Sequence, residues 1–362
     1  MAEMVIRNTT LQALQESTPG QLTTQDLLHC GGIFQASTPA SQRGPLKKME
    51  FDTCTQLTGL PDSFCQFENL VNLEFTLCTA LTVLPESLGQ LKHLETLEFR
   101  WCTRFARFPQ SIGQMTSLKM LTLKYGSLVT TLPDSIGQLQ KLKYINICRC
   151  FALTGLPESL GDLQALDVLR LEYCRALKRL PESLGRLSAL EELDLKECLL
   201  LEGLPESLGG MSNLKRLSLE NCQALTRLPE SLGQLSNLQT LDLSDCFSLT
   251  ALPGSIGQLS NLVTFDIAFC TTLARLPSSM SMLTNIKAFR TGATPAMVFP
   301  PNSTLIAASI RSRNSWTEVR EFLQNNYTEL KMLLVLLAGQ QRRKRLPHEL
   351  HNRLFCDFCN FF

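Results

Sequence analysis

The chain has 362 residues, 44% of them hydrophobic, and carries 34 Lys and Arg against 33 Asp and Glu. This near-neutral balance creates no overall attraction to nucleic acid or anionic membranes, and the apolar content excludes the disordered classes of protein. No apolar run near either end approaches the roughly 20 residues of a membrane span, and Met1–Thr10 lacks the apolar core of a signal peptide. We therefore expect a cytoplasmic protein whose 14 cysteines stay reduced.

Residues 1–45 precede any regular pattern. They contain turn-rich stretches around one modest apolar segment, Leu22–Leu28. We expect this part to form an N-terminal extension or a cap on the domain that follows.

Residues 46–303 repeat with a period of 24 residues. A Leu-Pro or Phe-Pro pair recurs ten times from Leu60 to Leu276, and in each unit an alternating run such as Leu97-Glu98-Phe99 predicts a short β-strand. A single unit cannot bury its apolar face, whereas stacked units can align their strands in one parallel sheet. The period therefore predicts an α/β solenoid of about ten units, with the strands on an inner, concave side.

Cysteine and glycine also follow this period. Nine cysteines share one place in the unit, just after the strand, and Gly126 occupies the one missing slot. A small apolar thiol with a weak S–H donor suits a buried turn, so we expect a structural role for these cysteines. Glycines such as Gly89, four residues after Pro85, are expected to let the chain turn back toward the next strand. The periodic cysteines are Cys54, Cys78, Cys102, Cys150, Cys174, Cys198, Cys222, Cys246 and Cys270.

The consensus LxxLxLxxCxxLxxLPxSLGxL resembles a leucine-rich repeat. Its residue pattern is similar to that of the repeats of plant intracellular disease-resistance receptors of the nucleotide-binding class. The resemblance covers about Leu46–Ser303. It implies a curved solenoid that binds proteins, in defence or signal regulation. The chain has no GxxxxGK[ST] phosphate loop, so the ATPase activity of those receptors is not implied.

The column of residues just before the Cys slot is the candidate partner-binding stripe on the concave face. Its middle is aromatic and basic, and three of the four tyrosines and one of the two tryptophans of the chain lie in this patch. Trp, Tyr and Arg are enriched in binding hot spots, although aromatic residues on a sheet also pair simply by packing. The stripe consists of Trp101, Tyr125, Arg149 and Tyr173, flanked by Arg100, Lys124, Tyr144 and Arg170.

The later repeats carry the opposite charge on the same face. Seven acidic residues face two basic ones there, so an elongated partner would be oriented by the change of sign, with an acidic or apolar segment near Trp101 and a basic one near Asp242. The alternative, that these acidic residues simply form a solvent-exposed face without a binding role, stays open. The acidic candidates for partner binding are Glu192, Asp194, Asp242, Asp245 and Asp266, with Glu197 and Glu220 beside them.

The repeats offer no catalytic constellation. His93 is their only histidine, and it lies away from the stripe, so we expect no enzyme activity, cofactor or small-molecule substrate. Nucleic acid and membrane are likewise not expected as partners.

Residues 304–362 are predicted to form a helical, basic C-terminal tail. Ser315-Trp316-Thr317-Glu318 fits a capping box, and the basic run Arg342–Arg345 fits either a nuclear import signal or a solvated helix end. The segment from Leu346 faintly resembles an F-box opening, which makes a ubiquitin-ligase substrate adaptor one alternative function; a structural spacer is another. Zinc binding by the tail stays open, its candidate ligands being His348, His351, Cys356 and Cys359.

Overall fold

The computed structural model describes residues 2–7, 46–273 and 275–291. The predicted tail at 304–362, with its import-signal and zinc candidates, lies outside the described residues. So does most of the N-terminal segment 1–45.

Twelve parallel strands form one open sheet in which the order of the strands is their order in the chain. Neighbouring strands pair at the same place in the repeat, so that Leu97 lies opposite Leu121 and Phe99 opposite Leu123. This is the parallel solenoid that the period predicts. The strands are β1 (Ala2–Arg7), β2 (Leu46–Asp52), β3 (Asn72–Thr76), β4 (Thr96–Arg100), β5 (Met120–Lys124), β6 (Tyr144–Cys148), β7 (Val168–Arg170), β8 (Glu192–Asp194), β9 (Arg216–Ser218), β10 (Thr240–Asp242), β11 (Thr264–Asp266) and β12 (Ala288–Arg290).

Strand β1 comes from the segment that precedes the repeats. It pairs in parallel with β2, and its Met4 and Ile6 are buried. The first repeat therefore has its strand edge covered by residues 2–7, a strand outside the 24-residue period that the sequence pattern did not predict.

The other side of each unit carries a short 3₁₀ helix that starts directly after the proline. Proline suits this place because its fixed φ is compatible with the helix start and it has no N–H to satisfy. The described residues contain no α-helix. The 3₁₀ helices are η1 (Asp62–Gln66), η2 (Glu86–Gln90), η3 (Gln110–Gln114), η4 (Asp134–Gln138), η5 (Glu158–Asp162), η6 (Glu182–Arg186), η7 (Glu206–Gly210), η8 (Glu230–Gln234), η9 (Gly254–Gln258) and η10 (Ser278–Met282).

The core lies between the sheet and the 3₁₀ helices. In β4, Leu97 and Phe99 are fully buried while Thr96, Glu98 and Arg100 face the other way, which confirms the predicted alternation. At the start of the solenoid the core is aromatic, since Phe51 stacks on Phe75 with ring centroids 5.0 Å apart and Phe75 stacks on Phe99 at 5.1 Å.

The nine periodic cysteines are buried thiols that hold neighbouring units together. Each thiol points at a carbonyl in, or directly after, the strand of the preceding unit: the Sγ of Cys174 lies 3.2 Å from the oxygen of Ile147, and the Sγ of Cys270 lies 3.1 Å from that of Leu243. Burial raises the pKa of Cys174 well above its ordinary value, so this group stays a neutral donor. At Gly126 a Cβ atom would lie 2.7 Å from the Leu123 side chain, which fills the space of the missing cysteine.

The glycine that follows the proline in eight of the ten units has a different role from the one predicted. No described glycine adopts a φ between +20° and +160°, so glycine is not needed for a left-handed turn. A Cβ atom on Gly233 would instead lie 2.5 Å from the carbonyl oxygen of Ser255, and the same clash arises between Gly89 and Ser111. Glycine is required because successive 3₁₀ helices pack with their backbones in contact.

Carboxylates link the same helices. Glu158 accepts the N–H of Ser183 at 3.0 Å and Glu230 accepts the N–H of Ser255 at 2.9 Å, each in the following unit. These N–H groups lower the pKa of both carboxyls. In these units the first residue of one 3₁₀ helix therefore caps the start of the next.

Candidate protein-binding surface at the strand ends

The column before the Cys slot lies in a turn, not on the flat face of the sheet. All ten of its residues, from Thr53 to Phe269, have φ between 55° and 64°. Its residues sit where the chain leaves the sheet. The left-handed residue redirects the backbone so that the following cysteine enters the core.

The turn keeps the spacing of the sheet. Trp101 donates its N–H to the carbonyl of Lys124 at 2.9 Å, and Tyr125 donates to Cys148 at 2.9 Å. Arg149 continues the series with a 2.9 Å bond to Glu172. Because this ladder of hydrogen bonds extends into the turns, side chains of successive units are held one strand spacing apart, about 4.8 Å.

Four of these side chains form a continuous stack, which we call the strand-end stack. The rings of Trp101 and Tyr125 are nearly parallel, at 12°, with centroids 3.5 Å apart. The guanidinium of Arg149 lies between two rings, 5.3 Å from the centroid of Tyr125 and 4.2 Å from that of Tyr173. Trp101 at the end of the stack is 44% exposed. The structure thus brings together all four residues of the predicted stripe.

The backbone conformation makes this column costly for most of its side chains. Asparagine and aspartate adopt the left-handed region most readily among residues with a Cβ, and only Asn221 and Asp245 in the column are of these types. Other L-residues lose roughly 1–2 kcal/mol there. The bulky residues of the stack therefore do not follow from backbone preference.

The predicted flanking residues lie on the solvent side of the sheet, which we call the strand face. Arg100 forms an ion pair with Glu98 at 2.8 Å, and Lys124 lies opposite Arg100 in the register of β4 and β5. Arg170 lies 5.9 Å from the ring centroid of Tyr144.

The predicted acidic half is largely engaged within the chain. Glu192 binds both Arg170 and Arg216, the latter at 2.8 Å. Asp266 is only 7% exposed, accepts the N–H of Ala268 and lies 3.4 Å from Arg290. These pairs weaken the change of sign that the residue count indicates, because the acidic side chains are already matched by cations.

The remaining acidic candidates fix the turns. Asp194 accepts the N–H of Lys196 at 3.0 Å, and Asp242 accepts both the N–H and the hydroxyl of Ser244. Burial raises the pKa of Asp194 to about 6, with a further contribution from Glu172. Asp245 lies in the left-handed column, and burial together with Glu220 raises its pKa.

Sequence reasoning missed three exposed neighbours of the stack. Leu77 occupies the column one unit before Trp101 and is 39% exposed. Phe151 and Arg175 follow the Cys slot in two successive units, where the guanidinium lies 5.7 Å from the ring centroid. The signal was their position in the repeat, since Leu77 comes immediately before a buried cysteine and Phe151 and Arg175 come immediately after one.

Two other kinds of feature are absent from the residues that the structure describes. No helix among them has the length and hydropathy to cross a membrane. In the same ranges, no cluster of three His, Cys, Asp or Glu residues is arranged to hold a metal ion.

Comparison with known proteins agrees with this architecture. A family model described as a leucine-rich repeat region matches residues 193–298. The leucine-rich repeat domain of the type III effector XopL is 26% identical, with a TM-score of 0.56 over 71% of this chain and 87% of that one. The described residues form a leucine-rich repeat solenoid.

Two further solved structures are similar to this chain over part of its length. The leucine-rich repeat protein LIC12759 of Leptospira interrogans is 25% identical with a TM-score of 0.44, over 67% of this chain and 77% of that one. A chain of the Drosophila Toll–Spatzle complex is 18% identical with a TM-score of 0.49, over 82% of this chain and 47% of that one. No curated protein matches the leucine-rich repeat chain in sequence.

Proposed function

We propose that this leucine-rich repeat chain is a non-enzymatic interaction module that binds a partner protein at the strand-end stack. The observation that carries the proposal is the stack itself: two tyrosines, a tryptophan and an arginine in contact along four successive units. These are the residue types that dominate binding energies at protein interfaces.

Two physical arguments support this assignment. The stack rests on a sheet whose hydrogen-bond ladder extends into the turns, so little conformational entropy is lost when a partner binds. Its bulky side chains also occupy backbone positions that disfavour them, which is expected where side-chain identity serves recognition rather than folding.

We further propose defence or signal regulation in the cytoplasm or nucleus as the biological setting, because the consensus resembles plant immune-receptor repeats. The adaptor alternative depends on residues from Leu346 onward, which lie outside the described residues. A structural spacer predicts no shared chemistry among the exposed residues of neighbouring units. The chain has only four tyrosines and two tryptophans, yet two of these tyrosines and one tryptophan lie together in the strand-end stack, which favours a binding surface over a spacer.

The test is affinity capture from cell extract with the full chain and a Trp101→Ala, Tyr125→Ala, Tyr173→Ala variant. Alanine keeps the left-handed backbone cost unchanged while removing the rings, so the fold should persist, as circular dichroism can check. We expect the triple variant to lose partners by about tenfold or more, the effect of removing more than 1.4 kcal/mol of interface contacts.

The matched control removes exposed apolar side chains outside the stack, with Leu200→Ala and Met282→Ala, which are 47% and 63% exposed in the native chain. The control variant should capture the same partners as the native chain. Equal capture by all three proteins would show that the stack is not the binding surface.

A further inference from the structure

Arg149, in the strand-end stack, differs from the arginines of the strand face in having no carboxylate partner. Arg100 pairs with Glu98, Arg170 and Arg216 share Glu192, and Arg290 pairs with Asp266. Within the described ranges Arg149 makes no ion pair, and its contacts are the two tyrosine rings.

The rings fix the guanidinium without using its hydrogen bonds. Its central carbon lies over the rings of both Tyr125 and Tyr173, and no other described residue takes up its N–H donors. A planar fork of donors held in one orientation matches the two oxygens of a carboxylate.

The surroundings select a singly charged group with an apolar neighbour. Glu172 contributes the backbone carbonyl that accepts the Arg149 N–H, and Glu197, whose carboxylate is bound by Arg175, follows Tyr173 in the column. These two acidic residues disfavour a doubly charged phosphate more than a singly charged carboxylate. In the other direction the stack ends in the exposed faces of Trp101 and Leu77.

We propose that the partner presents an Asp or Glu side chain of a peptide segment to Arg149 and an apolar side chain to Trp101. The inference rests on the proposed function, since it specifies the chemistry of the same surface. It gives Arg149 the role of selecting the partner by charge, while the rings supply the contact area.

The experiment selects random linear peptides from a display library on the full chain, with Arg149→Gln, Trp101→Ala and Arg227→Gln variants in parallel. Arg227 is an exposed arginine near the 3₁₀ side of its unit and serves as the matched control. We expect peptides selected on the native chain and on the control to be enriched in Asp or Glu beside an apolar residue, and this enrichment to disappear with Arg149→Gln.

A double-mutant cycle then tests the contact itself. Arg149→Gln and replacement of the peptide acid by its amide should each weaken binding by about tenfold or more, and the two changes together should cost little beyond either one. Selected peptides that lack acids but still need Trp101 would overturn the carboxylate assignment and leave the proposed function intact. If no selected peptide depends on Trp101, both proposals fail.

Discussion

Replacing Gly233 by alanine is expected to lower the free energy of unfolding by about 1–3 kcal/mol, the range found for overpacked interiors. The added Cβ would lie 2.5 Å from the carbonyl oxygen of Ser255 and 2.6 Å from the Cβ of that residue. Both atoms belong to the adjacent 3₁₀ helix and are held by the backbone, so neither can move without separating two units. Urea denaturation followed by circular dichroism measures the change.

Gly203→Ala is the matched control, because a Cβ at Gly203 meets no atom within 4 Å. There alanine should stabilise the chain slightly, by about 0.4–1 kcal/mol, since it restricts the unfolded state. Equal effects of the two substitutions would contradict the assignment of close helix packing to the periodic glycine.

Asp194→Asn is expected to stabilise the chain near neutral pH by about 1–2 kcal/mol, allowing for partial solvent screening of the charge. Burial holds the pKa of Asp194 at about 6 in the fold, against an ordinary value of 3.8. The folded state therefore binds the proton more tightly than the unfolded chain does. Protonation of Asp194 therefore raises the free energy of unfolding as the pH falls from about 7 toward 4, and asparagine removes this increase.

The measurement compares the native chain and the Asp194→Asn variant in urea at about pH 7.5 and about pH 5. The stabilisation should be largest at the higher pH and shrink at the lower one. Asparagine can still accept the Lys196 N–H, whereas Asp194→Ala loses that bond and should gain less. A stabilisation independent of pH would contradict the raised pKa of Asp194.

The sequence predicts most of this fold because the residues that recur in every unit are the ones that pack in the core. Leu97 and Phe99 recur at intervals that only a stacked parallel sheet can bury, and Cys102 recurs where a small buried donor is needed. Strand β1 escaped prediction because it lies outside the period, and its alternation is too short to distinguish from a turn-rich extension.

The candidate surface was predicted in composition but not in conformation. Periodicity placed Trp101, Tyr125, Arg149 and Tyr173 in one column, yet glycine is the residue that usually signals a left-handed turn, and the column contains none. Ion pairs between strands, such as those of Glu192, join side chains 22 and 24 residues apart. A count of charges in each half does not reveal such pairs, which engage part of the predicted acidic half.

Hydrogen–deuterium exchange on the complex with a captured partner tests the central claim most directly, because it shows where on the solenoid the partner lies. We expect slower exchange in the strand-end turns around Trp101, Tyr125, Arg149 and Tyr173, with the exchange rates of the 3₁₀ helices η2 to η6 unchanged. Protection confined to those helices, or to residues 304–362, would contradict recognition at the strand-end stack.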